Sequence, residues 1–380
     1  MKQSIYDMLN TLVGIPSISS KNPVLDQSNR HVIDCLADWF EDLGFTIKII
    51  PSKDLVGKYN LVANSGSGEK GLVFSGHSDT VPFDEKKWSS NPFALRQVDG
   101  RLYGLGVCDM KCFFPLIVDA VRQVSLPSLR KNLYVIATAD EESTMSGIRT
   151  LYELGLPKAE YAVIGEPTLL KPVHMNKGVD MQGVRIIGIP GHSSNPARGK
   201  NAIDGTIKVI QSLMVWRDEL IKLYPSPDFE VPYPTINFGR IFGGDSPNRI
   251  CPSCEFHMDI RLVPGMDIEQ TRADLTSRIH DAIDNDGFAF EIFPLCPGIP
   301  PMQTSEDSPL VKQAELLTGE KARTVLFTTE GYFFNALGMD TIIFGPGDIN
   351  TAHKPDEYIE TAMLEPAVNV YQSLIQHFCI

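Results

Sequence analysis

The sequence lacks long apolar runs and has no excess of basic residues. None of its apolar stretches approaches the roughly 20 residues that a membrane-spanning helix needs. Near the N-terminus, Asp7, Asn10 and Thr11 interrupt the apolar residues, so this segment is a poor secretory signal and favours an amphipathic helix. The 34 Lys and Arg against 47 Asp and Glu give a formal charge of −13. We therefore expect neither nucleic acid nor a membrane as a partner.

Cysteine is also sparse. The chain has seven cysteines, an odd number scattered along its length. This pattern argues against a disulfide framework and predicts a reducing, cytoplasmic location. Cys251 and Cys254 form a CxxC pair, but no second pair at zinc-finger spacing accompanies them, and we interpret them as small buried residues.

Length and apolar content predict more than one domain. The chain has 380 residues, 43% of them apolar, which suffices for a large core and exceeds the usual size of one domain. Apolar runs at 72–76, 133–139 and 161–166 predict strands, and the patterns at 29–45 and 113–124 predict helices. Strands that alternate with helices are typical of an α/β sheet covered on both faces.

The middle of the chain has a different pattern. Strand-like and helix-like segments follow one another there in the order β-α-β-β-α-β, at 183–189, 201–216, 235–241, 255–262, 267–283 and 288–293. This order is that of the split βαβ, ferredoxin-like unit. The α/β pattern then resumes with a strand at 341–345 and a helix at 364–378. We predict an α/β domain with a mixed sheet, formed by 1–176 and 294–380, and an α+β ferredoxin-like domain inserted at 177–293.

Polar residues follow the predicted strands of the α/β domain, where ligands of such sheets usually bind. Two histidines and several carboxylates occupy these positions: His77, Asp79, Asp109, Asp140 to Glu142, Glu166 and His353. Unpaired charges near a core cost several kcal/mol each. Imidazole and carboxylate ligands suit Zn²⁺ or a similar divalent ion, and their number fits two ions bridged by one carboxylate.

Each of these residues also has a purely structural explanation. His77 could be a hydrogen-bonded core histidine, Asp109 a helix cap, and Glu166 the end of a strand before Pro167. For any one of them the structural explanation is the better one. Their coincidence at five strand ends favours a metal site.

Six motifs occur in an order and at spacings that resemble the M20 metallopeptidase and deacylase family. They are SGHSDTVP, GLGVCDMK, TADEE, GEPT, GHSSNP followed by G.NAI, and GPG followed by AHKPDE. The resemblance extends over nearly the whole chain. The branch that the sequence most resembles is acetylornithine deacetylase, through NPVLDQSN, WFEDLGF, HSDTVPFDE, GGDSPNRIC and the double phenylalanine after DMKC.

The resemblance implies a ligand set for two divalent ions, Zn²⁺ above all, with Co²⁺ and Mn²⁺ as alternatives. One ion would be held by His77, Asp109 and Glu166. The other would be held by Asp109, Glu142 and His353, with Asp109 as the bridge. Asp79 would accept a hydrogen bond from the far ring nitrogen of His77 and fix its orientation.

The resemblance also implies roles around the metals. Glu141 would be the general base for the attacking water, and His192 of the inserted domain would stabilise the oxyanion. The insert would act as a lid and dimerisation domain. Arg249 would bind a substrate carboxylate, and Glu330 the side-chain ammonium of ornithine. The implied reaction is the removal of acetyl from N2-acetyl-L-ornithine, in arginine biosynthesis.

Two positions depart from the family pattern. Cys112 stands where the family usually has glycine after DMK, and the segment at Lys177-Gly178 reads NKGV rather than HKGH. The second departure leaves other substrates open, including succinyl-diaminopimelate, acetylcitrulline, other N-acyl amino acids and dipeptides. A metal-free binding protein with the same fold is a further alternative.

Overall fold

The computed structural model of the chain describes residues 3–66, 68 and 70–380. The four other residues, Met1, Lys2, Ser67 and Glu69, belong to the predicted first part of the α/β domain and lie outside the described residues. In the described part, no helix combines the length and the apolar character needed to cross a membrane.

The helices match the predicted periodic segments closely. In chain order they are α1 (Ile5–Val13), α2 (Arg30–Asp42), α3 (Phe113–Arg122), α4 (Ser146–Glu153), α5 (Ala202–Leu223), α6 (Ile268–Ile283), α7 (Pro309–Thr318), α8 (Gly331–Ala336) and α9 (Leu364–Cys379). The predicted N-terminal helix is confirmed as α1, which begins with a reciprocal capping box between Ser4 and Asp7.

The strands include the predicted ones, some longer and some shorter than predicted, together with others that the sequence analysis did not predict. In chain order they are β1 (Thr46–Pro51), β2 (Tyr59–Ser65), β3 (Gly71–His77), β4 (Arg96–Val98), β5 (Arg101–Tyr103), β6 (Asn132–Thr138), β7 (Tyr161–Ile164), β8 (Val173–Asn176), β9 (Gly178–Ile187), β10 (Gly191–His192), β11 (Thr235–Gly243), β12 (Arg249–Ile250), β13 (Ser253–Leu262), β14 (Ala289–Pro294), β15 (Met302–Gln303), β16 (Arg323–Val325), β17 (Asp340–Ile343) and β18 (Tyr358–Glu360).

The chain divides into two compact units. The first comprises Met1–His174, Gln303–Arg323 and Thr329–Ile380, and the second comprises Met175–Met302 and Thr324–Thr328. The sequence placed the insert at 177–293. The segment after β14 extends the second unit, because Leu295 N–H donates to Met181 O (2.9 Å) and Ile299 exchanges two backbone hydrogen bonds with Val179 (2.8 Å each).

The first unit contains the predicted mixed sheet. Its strand order is β1-β2-β6-β3-β7-β17-β8-β15, with β16 beside β8. The central strands β6, β3, β7 and β17 are parallel, whereas β1 and β2 are antiparallel. Aromatic side chains join this sheet to its helices, since Phe74 of β3 contacts Phe113 of α3 and Tyr371 of α9. Of the apolar residues that the sequence places on one face of the helix predicted at 29–45, Val32, Ile33, Leu36 and Phe40 are fully buried, whereas Trp39 and Leu43 are half-buried.

The second unit has the predicted ferredoxin-like order of elements. Its antiparallel sheet has the strand order β11-β13-β9-β14, and α5 and α6 pack in the same apolar cluster as this sheet. Alternation along β13 explains the packing, because Phe256, Met258, Ile260 and Leu262 are buried while the residues between them are half-buried. The predicted fold class is therefore confirmed.

Candidate metal centre

Three adjacent parallel strands bring their carboxyl ends to one edge of the large sheet. β3 ends at His77, which lies beside Thr138, the last residue of β6. β6 leads into Glu141 and Glu142, and β7, on the other side of β3, leads into Glu166. This arrangement follows from strand direction, because parallel neighbours end at the same side of a sheet.

Two further groups reach this edge from other segments. Asp109 lies in a short wide turn, Val107–Lys111, in which its own backbone departs from helical geometry (φ −125°, ψ 93°). His353 lies in the segment that leads into β18, and β18 pairs with β5. The two oxygens of Asp109 face different histidines: Oδ1 lies 2.9 Å from His77 Nε2, and Oδ2 lies 3.3 Å from His353 Nε2.

Glu142 and Glu166 complete the cluster from opposite sides. Glu142 Oε1 lies 3.0 Å from His353 Nε2, and Glu166 Oε1 lies 3.8 Å from His77 Nε2. Two groups of potential ligand atoms have all members within 4.8 Å of one another: His77 with Glu141 and Glu166, and His77 with Asp109 and Glu142. The structure thus brings the five predicted ligands and Glu141 together. The division of ligands between two ions remains a prediction.

In this cluster the carboxyl groups outnumber the groups that can carry a positive charge. Burial, followed by the charge of Glu166, raises the pKa of Glu141 well above its ordinary value, and burial with the charge of Asp109 does the same for Glu166. Burial also opposes the ionised form of Asp109, but hydrogen bonds from His353 and His77 outweigh it and lower the pKa of Asp109. The bond to Asp109 raises the pKa of His353 to about 11. Neutral imidazoles and ionised carboxylates at these positions fit divalent cations, which would supply the charge that this donor set requires.

The ring of His77 is oriented by a backbone group. Its Nδ1 lies 3.0 Å from the carbonyl oxygen of Asp79 and 3.9 Å from the carboxylate of the same residue. A carbonyl only accepts, so Nδ1 carries the proton and Nε2, which faces Asp109 and Glu166, is the nitrogen available to a cation.

The predicted role of the Asp79 carboxylate is therefore corrected. Its two oxygens accept the backbone N–H groups of Glu141 and Glu142, each at 3.2 Å. Two nearby N–H donors compete successfully for a fully buried carboxylate. Asp79 thus holds the segment that carries Glu141 and Glu142, while its carbonyl orients His77.

Cys108 and Cys112 lie close to Asp109 in the sequence, but neither belongs to the two groups of potential ligand atoms in the described part of the chain. Burial raises the pKa of Cys112 to about 12 and raises that of Cys108 well above its ordinary value. The backbone of Cys112 is right-handed helical (φ −60°, ψ −29°). No glycine is needed at this position, which accounts for the tolerance of this departure from the family pattern.

In the second unit, the oxyanion candidate His192 and the substrate-binding candidate Arg249 are neighbours. His192 of β10 is the register partner of Arg249 of β12, a pairing that their separation in the sequence conceals. The backbone N–H of Ser194 donates to His192 Nδ1 (3.2 Å), so the lone pair is on Nδ1 and the proton on Nε2. Arg249 is about half exposed and forms an ion pair with Asp245.

Glu330 is buried in the first unit. It is 1% exposed, and its Oε1 has no hydrogen-bond partner among the described residues. Burial raises its pKa to about 7. A hydrogen bond with Thr138 and the charge of His77 oppose this increase, and the charge of Asp79 adds to it. Its predicted contact with a substrate ammonium remains a prediction.

Sequence reasoning missed two further features near the metal centre. Glu357, in the same AHKPDE motif as His353, accepts three backbone N–H groups from the turn that carries Asp109. A cavity of about 230 Å³ adjoins His353 and is lined by apolar side chains, among them Phe83, Trp88 and Leu105, and by Lys354. The motif could have suggested Glu357, but nothing in the sequence indicated the cavity.

Comparison with known protein families gives one clear match. The model of the family described as peptidase family M20/M25/M40 matches residues 73–377, which is most of the chain.

Several solved structures are similar over almost the whole chain. A tripeptidase from Staphylococcus aureus has a TM-score of 0.77 at 19% identity, with 99% of this chain and 98% of that chain covered. An M20 family metallo-carboxypeptidase from Sulfolobus solfataricus has a TM-score of 0.75 at 20% identity, with 99% of each covered. A dinuclear metal-binding M20 peptidase from Bacillus subtilis has a TM-score of 0.68 at 15% identity, with 98% and 97% covered. At such low identities these similarities establish the fold alone.

Proposed function

The chain belongs to peptidase family M20/M25/M40, and on this basis we propose that it removes the acetyl group from N2-acetyl-L-ornithine, giving L-ornithine and acetate. The coarser function is that of a metal-dependent hydrolase of this family. The observation that carries the proposal is the convergence of His77, Asp109, Glu142, Glu166 and His353 beside Glu141. The choice of acetylornithine rests on the sequence motifs of that branch and assigns the protein to arginine biosynthesis.

Five side chains would hold two divalent ions, with the two oxygens of Asp109 directed to different histidines. His77, Asp109 and Glu166 would hold one ion, and Asp109, Glu142 and His353 the other. Zn²⁺ suits this ligand set, as do Co²⁺ and Mn²⁺. When bound, the ions would supply Lewis acidity, which polarises the scissile carbonyl and favours deprotonation of water.

Glu141 moves the proton. It is half-buried, and burial, followed by the charge of Glu166, raises the pKa of its carboxyl, so it accepts a proton near neutral pH more readily than an exposed glutamate. Its carboxylate takes a proton from the water as the water oxygen attacks the amide carbon. When the C–N bond breaks, the same carboxyl returns the proton to the departing nitrogen, which leaves as the α-amine of ornithine.

Groups of the second unit and a buried acid would bind the rest of the substrate. His192 presents a protonated Nε2 that can donate to the developing oxyanion, and Arg249 beside it offers two parallel donors to the α-carboxylate. Glu330 would meet the side-chain ammonium. These roles require the second unit to act as a lid over the substrate.

We also propose a cytoplasmic homodimer. The seven cysteines, an odd number scattered along the chain, are in keeping with a reducing compartment. β11 is an edge strand of the second unit, and Ile241 and Phe242 on it are 56% and 43% exposed. An open, partly apolar edge supports pairing with a second copy.

One observation favours a second candidate, an N-acyl amino acid hydrolase for larger acyl groups. The cavity beside His353 has a volume of about 230 Å³, far more than a methyl group fills. Its lining combines apolar side chains with Lys87, Lys354 and Asp84, and the two lysines suit a longer acyl chain that ends in a carboxylate, such as succinyl.

A substrate panel tests both candidates. The purified protein with added Zn²⁺ is assayed with N-acetylornithine, N-acetylcitrulline, succinyl-diaminopimelate, other N-acyl amino acids and dipeptides. We expect the highest kcat/KM for N-acetylornithine, loss of activity with a chelator, and recovery with Zn²⁺ or Co²⁺. A higher kcat/KM for a succinyl substrate would replace the first candidate by the second. A folded protein that binds no metal and hydrolyses nothing would favour a binding protein.

A further inference from the structure

The two segments that carry Asp109 and His353 run side by side. β5 and β18 pair with Tyr103 opposite Tyr358, and the pairing continues one step further, because Gly104 N–H donates to the carbonyl of Glu357 (3.2 Å). Beyond this point the backbones separate, one toward Asp109 and the other back toward His353. Glu357 is thus the last residue at which a backbone hydrogen bond joins the two ligand-bearing segments.

The side chain of Glu357 takes over where the backbone pairing stops. Its Oε1 accepts N–H groups from Cys108 (2.7 Å) and Asp109 (3.0 Å), and its Oε2 accepts the N–H of Gly106 (3.1 Å). The residue is 2% exposed, so water does not compete for these donors. Three backbone N–H bonds on one carboxyl group define the path of the turn more strictly than any single bond would.

Other contacts hold the backbone at the two ends of this turn. Gly106 has φ +75°, and a Cβ at this position would lie 2.5 Å from Thr80 Cγ2. Only glycine therefore occupies the first position of the turn without strain. Lys111 closes it, with its N–H on Gly106 O (2.8 Å) and its Nζ on two carbonyls of the N-terminal segment. The N–H of Asp109 donates to Glu357.

We propose that Glu357 is a positioning residue that sets the direction of the Asp109 carboxylate relative to His353. Because both Asp109 oxygens face histidines, a small rotation of the turn would lengthen both contacts at once. Glu357 does not touch substrate or reacting atoms in this scheme. The inference rests on the proposed function, since it assigns Asp109 as the ligand shared by two cations.

The test compares Glu357→Gln with Glu360→Gln. The amide keeps the size of the side chain but presents an NH₂ group to at least one of the three N–H donors. Glu360 is a matched control, since it lies three residues further along the same segment, is about half exposed and only pairs with Arg101 at 3.5 Å. Zn²⁺ affinity is measured by competition with a chelator, and the geometry of the site by the visible spectrum of the Co²⁺-loaded protein.

We expect the Zn²⁺ affinity of Glu357→Gln to fall about 10–100-fold, the range for groups that orient metal ligands. The Co²⁺ spectrum shifts, kcat falls and KM stays near the wild-type value, whereas Glu360→Gln matches wild type in all four. Glu357→Ala, which removes every acceptor, has a larger effect than Glu357→Gln.

The outcomes separate this inference from the function it rests on. Failure of the wild-type protein to bind Zn²⁺ would overturn the proposed function, and the inference with it. If wild type binds Zn²⁺ and the affinity of Glu357→Gln falls less than threefold, the positioning role is overturned while the function stands. A Glu357→Gln protein that does not fold in excess Zn²⁺ would also overturn it, because the contact would then maintain the fold rather than the ligand.

Discussion

Buried charges are treated differently in the two units. In the second unit each charged residue buried to 9% exposure or less, within the described part of the chain, has a partner of the same unit. Asp180 forms two bonds with Arg272 (2.8 and 3.0 Å), Lys177 donates to two carbonyls, and Glu255 pairs with Arg185. In the first unit, by contrast, buried carboxylates crowd against one another at the sheet edge.

This contrast separates a structural from a functional use of charge. Paired charges restore the interactions that burial removes, and their loss lowers stability. Burial raises the pKa values of Glu141, Glu142 and Glu166, and neighbouring carboxylates raise them further: Glu166 acts on Glu141, and Asp109 acts on Glu142 and Glu166. This opposes folding unless a cation compensates. Such crowding is typical of sites selected for chemistry.

The variant Glu141→Gln is the strongest test of this contrast. It removes the proton-transfer group while keeping its size, so kcat should fall about 10²–10⁴-fold. It also removes one of the crowded charges, so the free energy of unfolding of the metal-free protein should not decrease. Activity assays, metal analysis and urea unfolding measure the three quantities.

Glu153→Gln is the matched control for this variant. Glu153 is half exposed and pairs with Lys53 in the same unit, so its replacement should leave kcat within about twofold, as for an ordinary surface site. Comparable kcat values for the Glu141 and Glu153 variants would contradict the base role of Glu141.

His192→Ala tests the exposed group of the second unit to which we assign oxyanion stabilisation. Loss of an oxyanion donor should lower kcat about 10²–10³-fold. Metal content should stay at the wild-type level, and the free energy of unfolding should change by less than about 0.5 kcal/mol, as for an exposed residue. Since Ser194 contacts this ring, Ser194→Ala is a control with a smaller expected loss. Normal turnover of His192→Ala would remove the oxyanion role.

Asp180→Asn has the smallest expected effect on catalysis and a clear effect on stability. Asp180 is fully buried, and its replacement removes the buried one of the two carboxylates that pair with Arg272, the other being the exposed Glu269. The free energy of unfolding should fall by about 3 kcal/mol, while Zn²⁺ affinity stays unchanged. Asp218→Asn, at an exposed pair with Arg217, should lower it by less than about 0.5 kcal/mol. A loss of Zn²⁺ affinity in Asp180→Asn would contradict the view that the buried charges of the second unit have a structural use and those of the first a functional one.

The sequence was sufficient to predict the elements that have a regular apolar pattern, and the strand ends that carry candidate ligands. Periodicity located α2, α5, α6 and β13, because each buries one regular face. Parallel strand direction then predicted that His77 and Glu166 would lie at one edge, as they do. These features follow from local patterns and the geometry of parallel sheets.

Features that depend on individual atoms could not be read from the sequence. The acceptor for His77 is the carbonyl of Asp79 rather than its carboxylate, because two N–H groups 62 and 63 residues away bind that carboxylate. The pairing of His192 with Arg249 and the three bonds of Glu357 likewise join residues far apart in the chain. Such contacts are set by tertiary packing, which periodicity does not encode.

The position of β17 in the large sheet affects how the protein is made. β17 pairs with β7 although the whole second unit lies between them in the chain. At about 5–20 residues per second, the ribosome needs roughly ten to thirty seconds to pass from one strand to the other. Until β17 is made, the edge of β7 that it occupies in the sheet is open to aggregation or to chaperones. Every residue of the second unit has been synthesised by the time β17 follows. His353 and Glu357 lie beyond β17 in the chain, so the full candidate ligand set cannot assemble until they too have been synthesised.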